Sequence, residues 1–83
     1  MKRSLIIPVT CLVLLACHEK KIAASDVPQA VVAAFNTKYP NASEVEWATE
    51  EEDGKKVYEA ECKFNGKKIE ADFDMDGKFI KEE

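Results

Sequence analysis

Three dipeptides, Asp53-Gly54, Asn65-Gly66 and Asp76-Gly77, constrain the fold of this chain more than any other feature. Each is flanked by residues that alternate between apolar and charged. Asn-Gly and Asp-Gly favour two-residue hairpin turns, because a type I′ turn needs positive φ at both central residues. Three such turns, eleven or twelve residues apart, predict an antiparallel meander of four strands.

The turn positions also predict which residues face each other across neighbouring strands. A one-residue slip in any hairpin would turn a whole strand over, so the agreement of three turns supports one register. Ala60 and Ala71 meet in the middle of the apolar face and leave room for a helix to lie across it. The predicted inner face consists of Val45, Trp47, Tyr58, Ala60, Cys62, Ile69, Ala71, Phe73 and Ile80.

A helix is predicted immediately before the first of these strands. Asp26 is placed to cap it, Pro28 suits its first turn, and Pro40 prevents it from continuing. We therefore expect an α+β fold, in which one N-terminal helix packs on a four-stranded antiparallel β-meander over residues 26–83. The apolar stripe of this helix, at a spacing of four residues, is Val27, Val31, Phe35 and Tyr39.

The N-terminal segment has the pattern of a signal peptide over residues 1–16. Lys2 and Arg3 precede an apolar run from Leu5 to Ala16, which is too short to span a bilayer. The run ends in Leu14-Leu15-Ala16-Cys17, which resembles a bacterial lipobox and implies cleavage before a lipidated Cys17. Ordinary cleavage, for example after Ala24, is the alternative.

Residues 17–25 are polar and lack periodicity, so we interpret them as a lipidated tether between the membrane and the domain. The expected location is the bacterial cell envelope. The protein would be secreted across the inner membrane and anchored as a periplasmic or outer-membrane lipoprotein.

Charge limits the partners of the mature chain. Removing Lys2 and Arg3 changes the formal net charge from −4 to −6 and leaves no arginine. Nucleic-acid binding depends on clustered basic residues, so it is not expected. Attachment to a membrane would occur through the N-terminal lipid alone.

The folded part carries few groups that perform catalysis. The single histidine, His18, lies in the tether, and Cys62 faces the predicted core. There is no glycine-rich phosphate loop. We expect a non-catalytic protein without a cofactor, and we predict no specific set of metal ligands.

The outer face of the sheet is the candidate binding surface. The registers predict one row of four acids across the strands, Glu46, Glu61, Glu70 and Glu83. Like charges that face each other across strands are destabilising, so such a row is unusual. The predicted partner-binding residues are Glu46, Glu59, Glu61, Glu70 and Asp72.

Three interpretations of this outer face are open. It is a solvated surface, a docking surface for a basic protein partner, or a site for a small ligand or a cation such as Ca²⁺, which prefers oxygen ligands. Val57 and Phe79 are predicted to point outward beside the acids. Asp74–Gly77 is similar to the start of an EF-hand loop but lacks the later ligands, so a hairpin turn is predicted there. Dimerisation through a sheet edge or face also stays open.

Several short motifs, taken in order, resemble the PepSY-like domains of secreted bacterial proteins. They are Val27-Pro28, Tyr39-Pro40-Asn41-Ala42, Val45-Glu46-Trp47, Tyr58-Glu59-Ala60 and Asp74-Met75-Asp76-Gly77-Lys78. The resemblance covers about residues 26–82, as a single copy. It implies a helix packed on an antiparallel sheet, comparable to β-lactamase-inhibitor proteins. For function it implies protein binding, with inhibition or regulation of a peptidase or another hydrolase.

Overall fold

A computed structural model describes residues 19–83 of the chain. The predicted signal peptide (1–16), the lipidation site Cys17 and His18 lie outside the described residues. Within 19–83, no helix has both the length and the apolar character needed to cross a membrane.

The described residues form one α-helix and a five-stranded antiparallel sheet. The strand order β1-β2-β3-β4-β5 follows the chain, with a 3₁₀ turn (Ala24–Asp26) and the helix between the first two strands. The elements are β1 (Lys20–Ile22), α1 (Gln29–Lys38), β2 (Ser43–Glu52), β3 (Lys55–Phe64), β4 (Lys67–Asp74) and β5 (Phe79–Glu82). The α+β class and the single helix are confirmed, whereas the four-strand count is wrong.

The additional strand comes from the segment interpreted as a tether. Lys20, Lys21 and Ile22 pair with Thr49, Ala48 and Trp47 on the free edge of β2. Ile22 is partly buried against the core. Three residues are too few to show a strand periodicity, and this pairing exists only because β2 offers an unpaired edge.

The helix follows the predicted stripe, but it begins later than expected. Asp26 belongs to the preceding 3₁₀ turn, and Pro28 occupies the N-cap position without a side-chain cap. The Pro28 carbonyl accepts hydrogen bonds from the amides of Val31 and Val32 at 3.0 and 3.1 Å. All four residues of the predicted stripe, from Val27 to Tyr39, are buried.

The first two hairpins have the predicted turns. Asp53 and Gly54 have φ values of 53° and 79°, and Asn65 and Gly66 have values of 54° and 80°. The two central residues of a type I′ turn both need positive φ. The resulting β3–β4 register is the predicted one along its whole length, and the β2–β3 register agrees from Glu46 onward.

A bulge changes the start of β2. Ser43, rather than Glu44, pairs with Lys63, and the register shifts between Ser43 and Glu46. Glu44 takes a φ of 52° at this point. One extra residue in one strand locally breaks the ladder, and the alternation pattern alone does not reveal it.

The third hairpin differs from the prediction. Its loop has three residues, because the Gly77 amide bonds to the Asp74 carbonyl at 3.0 Å and the Asp74 amide bonds to the Lys78 carbonyl at 2.9 Å. Only Gly77 has positive φ in this loop, at 89°. A type I turn followed by a left-handed glycine is the usual geometry of a three-residue hairpin.

This loop changes which side chains of β5 face the core. Phe79, and not Ile80, lies opposite Phe73, with the ring centroids 5.8 Å apart. Ile80 falls at a register shift between the Phe73–Phe79 and Asp72–Lys81 pairs and is 43% exposed, so its assignment to the core is wrong. The outward direction predicted for Phe79 is also wrong, although 38% of its surface stays exposed. Lys38 lies over the Phe79 ring, 4.3 Å from its centroid.

The core lies between the helix and the inner face of the sheet. Ala60 and Ala71 are fully buried side by side, and Phe35 of the helix lies near them. The Phe35 ring centroid is 5.3 Å from that of Trp47 and 6.3 Å from that of Phe73. The two small residues thus make the space for the helix that the sequence predicts.

Candidate functional site

The predicted row of acids crosses the outer face of the sheet. Glu46 pairs with Glu61, and Glu61 pairs with Glu70. Glu70 and Glu83 exchange backbone hydrogen bonds of 2.8 and 2.7 Å, which extends the row beyond β5. We call Glu46, Glu61, Glu70 and Glu83 the acidic row. It spans the four strands of the meander, because all of its members occupy outward positions in one register.

Lysines pair with three members of the acidic row. Lys21 lies 3.9 Å from Glu46, and Lys68 lies 3.3 Å from Glu61. Lys81 lies 3.3 Å from Glu83. These pairs are largely exposed, and exposed pairs contribute about 0–1 kcal/mol. They weaken the repulsion along the row without holding its carboxylates in place.

A second row lies next to the first and is far less accessible. Glu59 pairs with Asp72 across β3 and β4, and Ala48 and Lys81 flank them on the neighbouring strands. Glu59 is 7% exposed and Asp72 is 5% exposed. The structure therefore places all five predicted binding residues on one face, but it leaves only Glu46, Glu61 and Glu70 open to a partner.

Burial shifts the ionisation of this second row. Burial, followed by hydrogen bonding with the carboxyl groups of Glu19 and Glu70, raises the pKa of Glu59 to about 9. Burial, followed by the nearby charge of Glu50, raises the pKa of Asp72 to about 6. Removal from water disfavours a charged carboxylate, and neighbouring acids add to the effect. The protonated form of Glu59 is consequently favoured in the folded state.

Two groups of carboxylates come together on this face. One carboxylate oxygen from each of Glu50, Glu52 and Asp72 lies within 4.8 Å of the other two, and the same holds for Glu19, Glu50 and Glu59. Sequence reasoning did not single out Glu19, Glu50 or Glu52 for binding. Side chains alternate between the two faces along β2, so the inward position of Trp47 could have placed Glu50 and Glu52 on the outer face. Glu19 reaches this face only because β1 pairs with β2.

Val57 points outward as predicted, but it is buried rather than exposed. It lies on the outer side of β3, opposite Glu50 and Asp74, and it is only 4% exposed. Phe79 lies on the inner side instead, with 38% of its surface exposed, so the two residues are not neighbours on the outer face.

Two other sequence candidates have structural roles. Cys62 is buried, and burial raises the pKa of its thiol, which keeps it protonated. In the loop similar to an EF-hand start, one oxygen of Asp74 accepts hydrogen bonds from the amides of Asp76 and Lys78, both at 2.9 Å. Asp74 thus closes a hairpin turn, as predicted.

Shallow cavities lie at the edges of this face. One of about 160 Å³ lies beside the β2 bulge, between Glu44 and Lys68. Another of about 260 Å³ lies at the sheet edge between β1 and the start of β2, where it is lined partly by the inner-face residues Ile22, Val45 and Trp47. Pockets for small organic ligands usually hold about 300–1,000 Å³, so these are better suited to single side chains of a partner than to a whole ligand.

Comparison with protein-family models, with curated proteins and with solved structures finds no match for this chain. Its function is therefore inferred from the geometry and charge of the outer face of the sheet.

Proposed function

We propose that this protein is a non-catalytic binding module of the bacterial cell envelope, which docks a basic protein partner on its acidic row. The observation that carries the proposal is the alignment of Glu46, Glu61 and Glu70 by the strand register. Aligned like charges cost stability. A partner that presents lysine or arginine side chains would offset that cost on binding.

The shape of this face supports a protein partner more than a small molecule. The acids lie on neighbouring strands about 4.8 Å apart, so the row presents a broad surface rather than a cleft. The cavities at its edges, of about 160 and 260 Å³, are small. Complementary charge on a surface of this kind would mainly accelerate association and select the partner.

The cellular location in the proposal follows from the N-terminal sequence. Residues 1–16 have the features of a signal peptide, and Leu14–Cys17 resembles a lipobox. Lipidation at Cys17 would attach the domain to a membrane and confine its partners to the envelope. The resemblance to PepSY-like domains adds the class of partner, a peptidase or another hydrolase that the module inhibits or regulates.

The test is capture of partners from envelope extracts followed by affinity measurement with the purified partner. Reversing Glu46, Glu61 and Glu70 to lysine should weaken binding by at least about tenfold and reduce its dependence on salt. A matched control reverses three exposed acids away from the row, Asp26, Glu51 and Asp76. A captured partner that binds both triple variants equally well would show that the row is only a solvated surface.

A further inference from the structure

Three carboxylates from two non-adjacent strands meet on the outer face. Glu50 and Glu52 extend from β2, and Asp72 extends from β4, with β3 between them. One oxygen from each carboxylate nevertheless lies within 4.8 Å of the other two. The side chains must therefore reach across β3, where Val57 lies opposite Glu50. Negative groups that converge in this way repel each other unless a proton or a cation lies among them.

Asp72 is the member of this cluster that most needs a partner. It is 5% exposed, yet within residues 19–83 its carboxylate makes no hydrogen bond and no ion pair. Lys81 faces it across the strands, and the positive charge of Lys81 acts on Asp72, Glu50 and Glu52. The ammonium group of Lys81 nevertheless pairs with Glu83 at 3.3 Å and, among the described residues, forms no ion pair with these three carboxylates. Buried charged groups are ordinarily paired or coordinate a metal, because leaving them unpaired is costly.

We propose that Glu50, Glu52 and Asp72 bind a divalent cation of the Ca²⁺ class. Three oxygens that lie no more than 4.8 Å apart have a common point within about 2.8 Å of each, and Ca²⁺–oxygen distances are about 2.3–2.6 Å. A movement of a few tenths of an ångström in each side chain would complete the contacts. Ca²⁺ accepts irregular, partly hydrated coordination, whereas Mg²⁺ demands near-octahedral geometry at shorter distances.

The neighbouring cluster of Glu19, Glu50 and Glu59 is a weaker candidate. The carboxyl group of Glu59 already hydrogen-bonds with those of Glu19 and Glu70, so its polar atoms have partners. Glu50 belongs to both clusters. Glu50 also hydrogen-bonds with Glu59, so a cation held with Asp72 would take Glu50 out of that hydrogen bond and would leave those of Glu59 with Glu19 and Glu70 in place.

The proposed site differs from the proposed docking surface. It uses none of the four residues of the acidic row, and a cation could occupy it in the absence of any protein partner. Three carboxylates completed by water match the ligand sets of weak extracellular sites, for which dissociation constants are about 10⁻⁴–10⁻³ M.

The test uses the purified full-length chain in a non-ionic detergent at constant ionic strength. Thermal unfolding is followed by Trp47 fluorescence, and binding is measured directly by calorimetric titration with CaCl₂. Ca²⁺ at about ten times the dissociation constant should raise the melting temperature by roughly 5–10 °C, by mass action on a domain of this size. Mg²⁺ at the same concentration should give a clearly smaller rise.

Two variants and one matched control make the result specific. Asp72→Asn and Glu50→Gln keep the shape of the side chain and should abolish both the calorimetric signal and the Ca²⁺-dependent rise. Glu51→Gln makes the same charge change on β2, but the side chain of Glu51 lies on the other face of the sheet. This control variant should keep both the calorimetric signal and the Ca²⁺-dependent rise in melting temperature. Equal responses in Asp72→Asn and Glu51→Gln would overturn the proposal. So would equal shifts with Ca²⁺ and Mg²⁺, or no Ca²⁺-dependent shift in the unsubstituted chain at about 10 mM, which is well above the expected range.

Discussion

The loop between β4 and β5 contacts the start of the helix, and Gly77 is the residue that permits this contact. Its φ is 89°, and a Cβ placed on it would lie 2.5 Å from the backbone oxygen of Ala30 and 3.0 Å from the carbonyl carbon. Because the neighbouring atoms belong to helix backbone, they cannot move aside as a flexible side chain would. Gly77→Ala should therefore be destabilising for two separate reasons, the positive φ and the clash of the added Cβ with the backbone of Ala30.

The magnitude follows from comparison with the other two turn glycines. Gly54 and Gly66 have similar φ values of 79° and 80°, but an added Cβ would meet nothing within 4 Å. Alanine at either should cost only the left-handed backbone strain, roughly 1–2 kcal/mol. At Gly77 the overpacking against the helix adds about 1–3 kcal/mol, so the total is about 2–5 kcal/mol.

The assay is thermal denaturation of the three alanine variants, followed by Trp47 fluorescence and far-UV circular dichroism. Each kcal/mol should lower the melting temperature by about 4–8 °C in a domain of this size. Gly77→Ala should be the least stable of the three. Equal losses at Gly77 and Gly66 would refute the contact between the third hairpin and the helix, because backbone strain alone would then account for both.

Three further predictions concern the core and the buried acids. Trp47→Ala should cost about 3–5 kcal/mol, because it removes a buried aromatic side chain that packs on the helix; a cooperative melt at an unchanged temperature would contradict the core assignment. Tyr39→Phe removes the hydrogen bond that the Tyr39 hydroxyl donates to Glu82 at 2.5 Å, and it should cost about 0.5–1.5 kcal/mol in urea denaturation. The two buried acids, Glu59 and Asp72, have raised pKa values and so bind protons more tightly in the folded state than in the unfolded state. The free energy of unfolding should therefore fall as the pH rises, from about 4.5 to about 9 because of Glu59 and from about 3.8 to about 6 because of Asp72. Glu59→Gln should remove the part of this decline above pH 6, and a decline as steep as that of the original chain would show that Glu59 is not the titrating group.

The sequence alone predicted most of the meander and the alignment of the acidic row on its outer face. Asp53-Gly54 and Asn65-Gly66 specify their turns through local backbone preference, so the β3–β4 register and the alignment of Glu46, Glu61 and Glu70 follow from the sequence itself. The helical stripe follows likewise from a spacing that local geometry dictates. These features depend on residues within one hairpin or one helix.

The remaining features depend on contacts between distant segments. β1 forms because β2 leaves an edge free, and this pairing brings Glu19 to the outer face. The third hairpin adopts a three-residue loop in which Gly77 approaches the helix, and this decides that Phe79 rather than Ile80 faces Phe73. A dipeptide carries no information about such neighbours.

The outer face of the sheet likewise combines features that the local sequence determines with features that only the tertiary structure decides. The alternation of each strand decides which carboxylates face outward, and the sequence determined this correctly for the acidic row. Only the tertiary structure decides that Asp72 is buried, that Glu59 shares hydrogen bonds with other acids, and that Glu50 and Glu52 reach Asp72 across β3. Burial and convergence depend on how side chains from separate strands pack together, and no local pattern in the sequence encodes that.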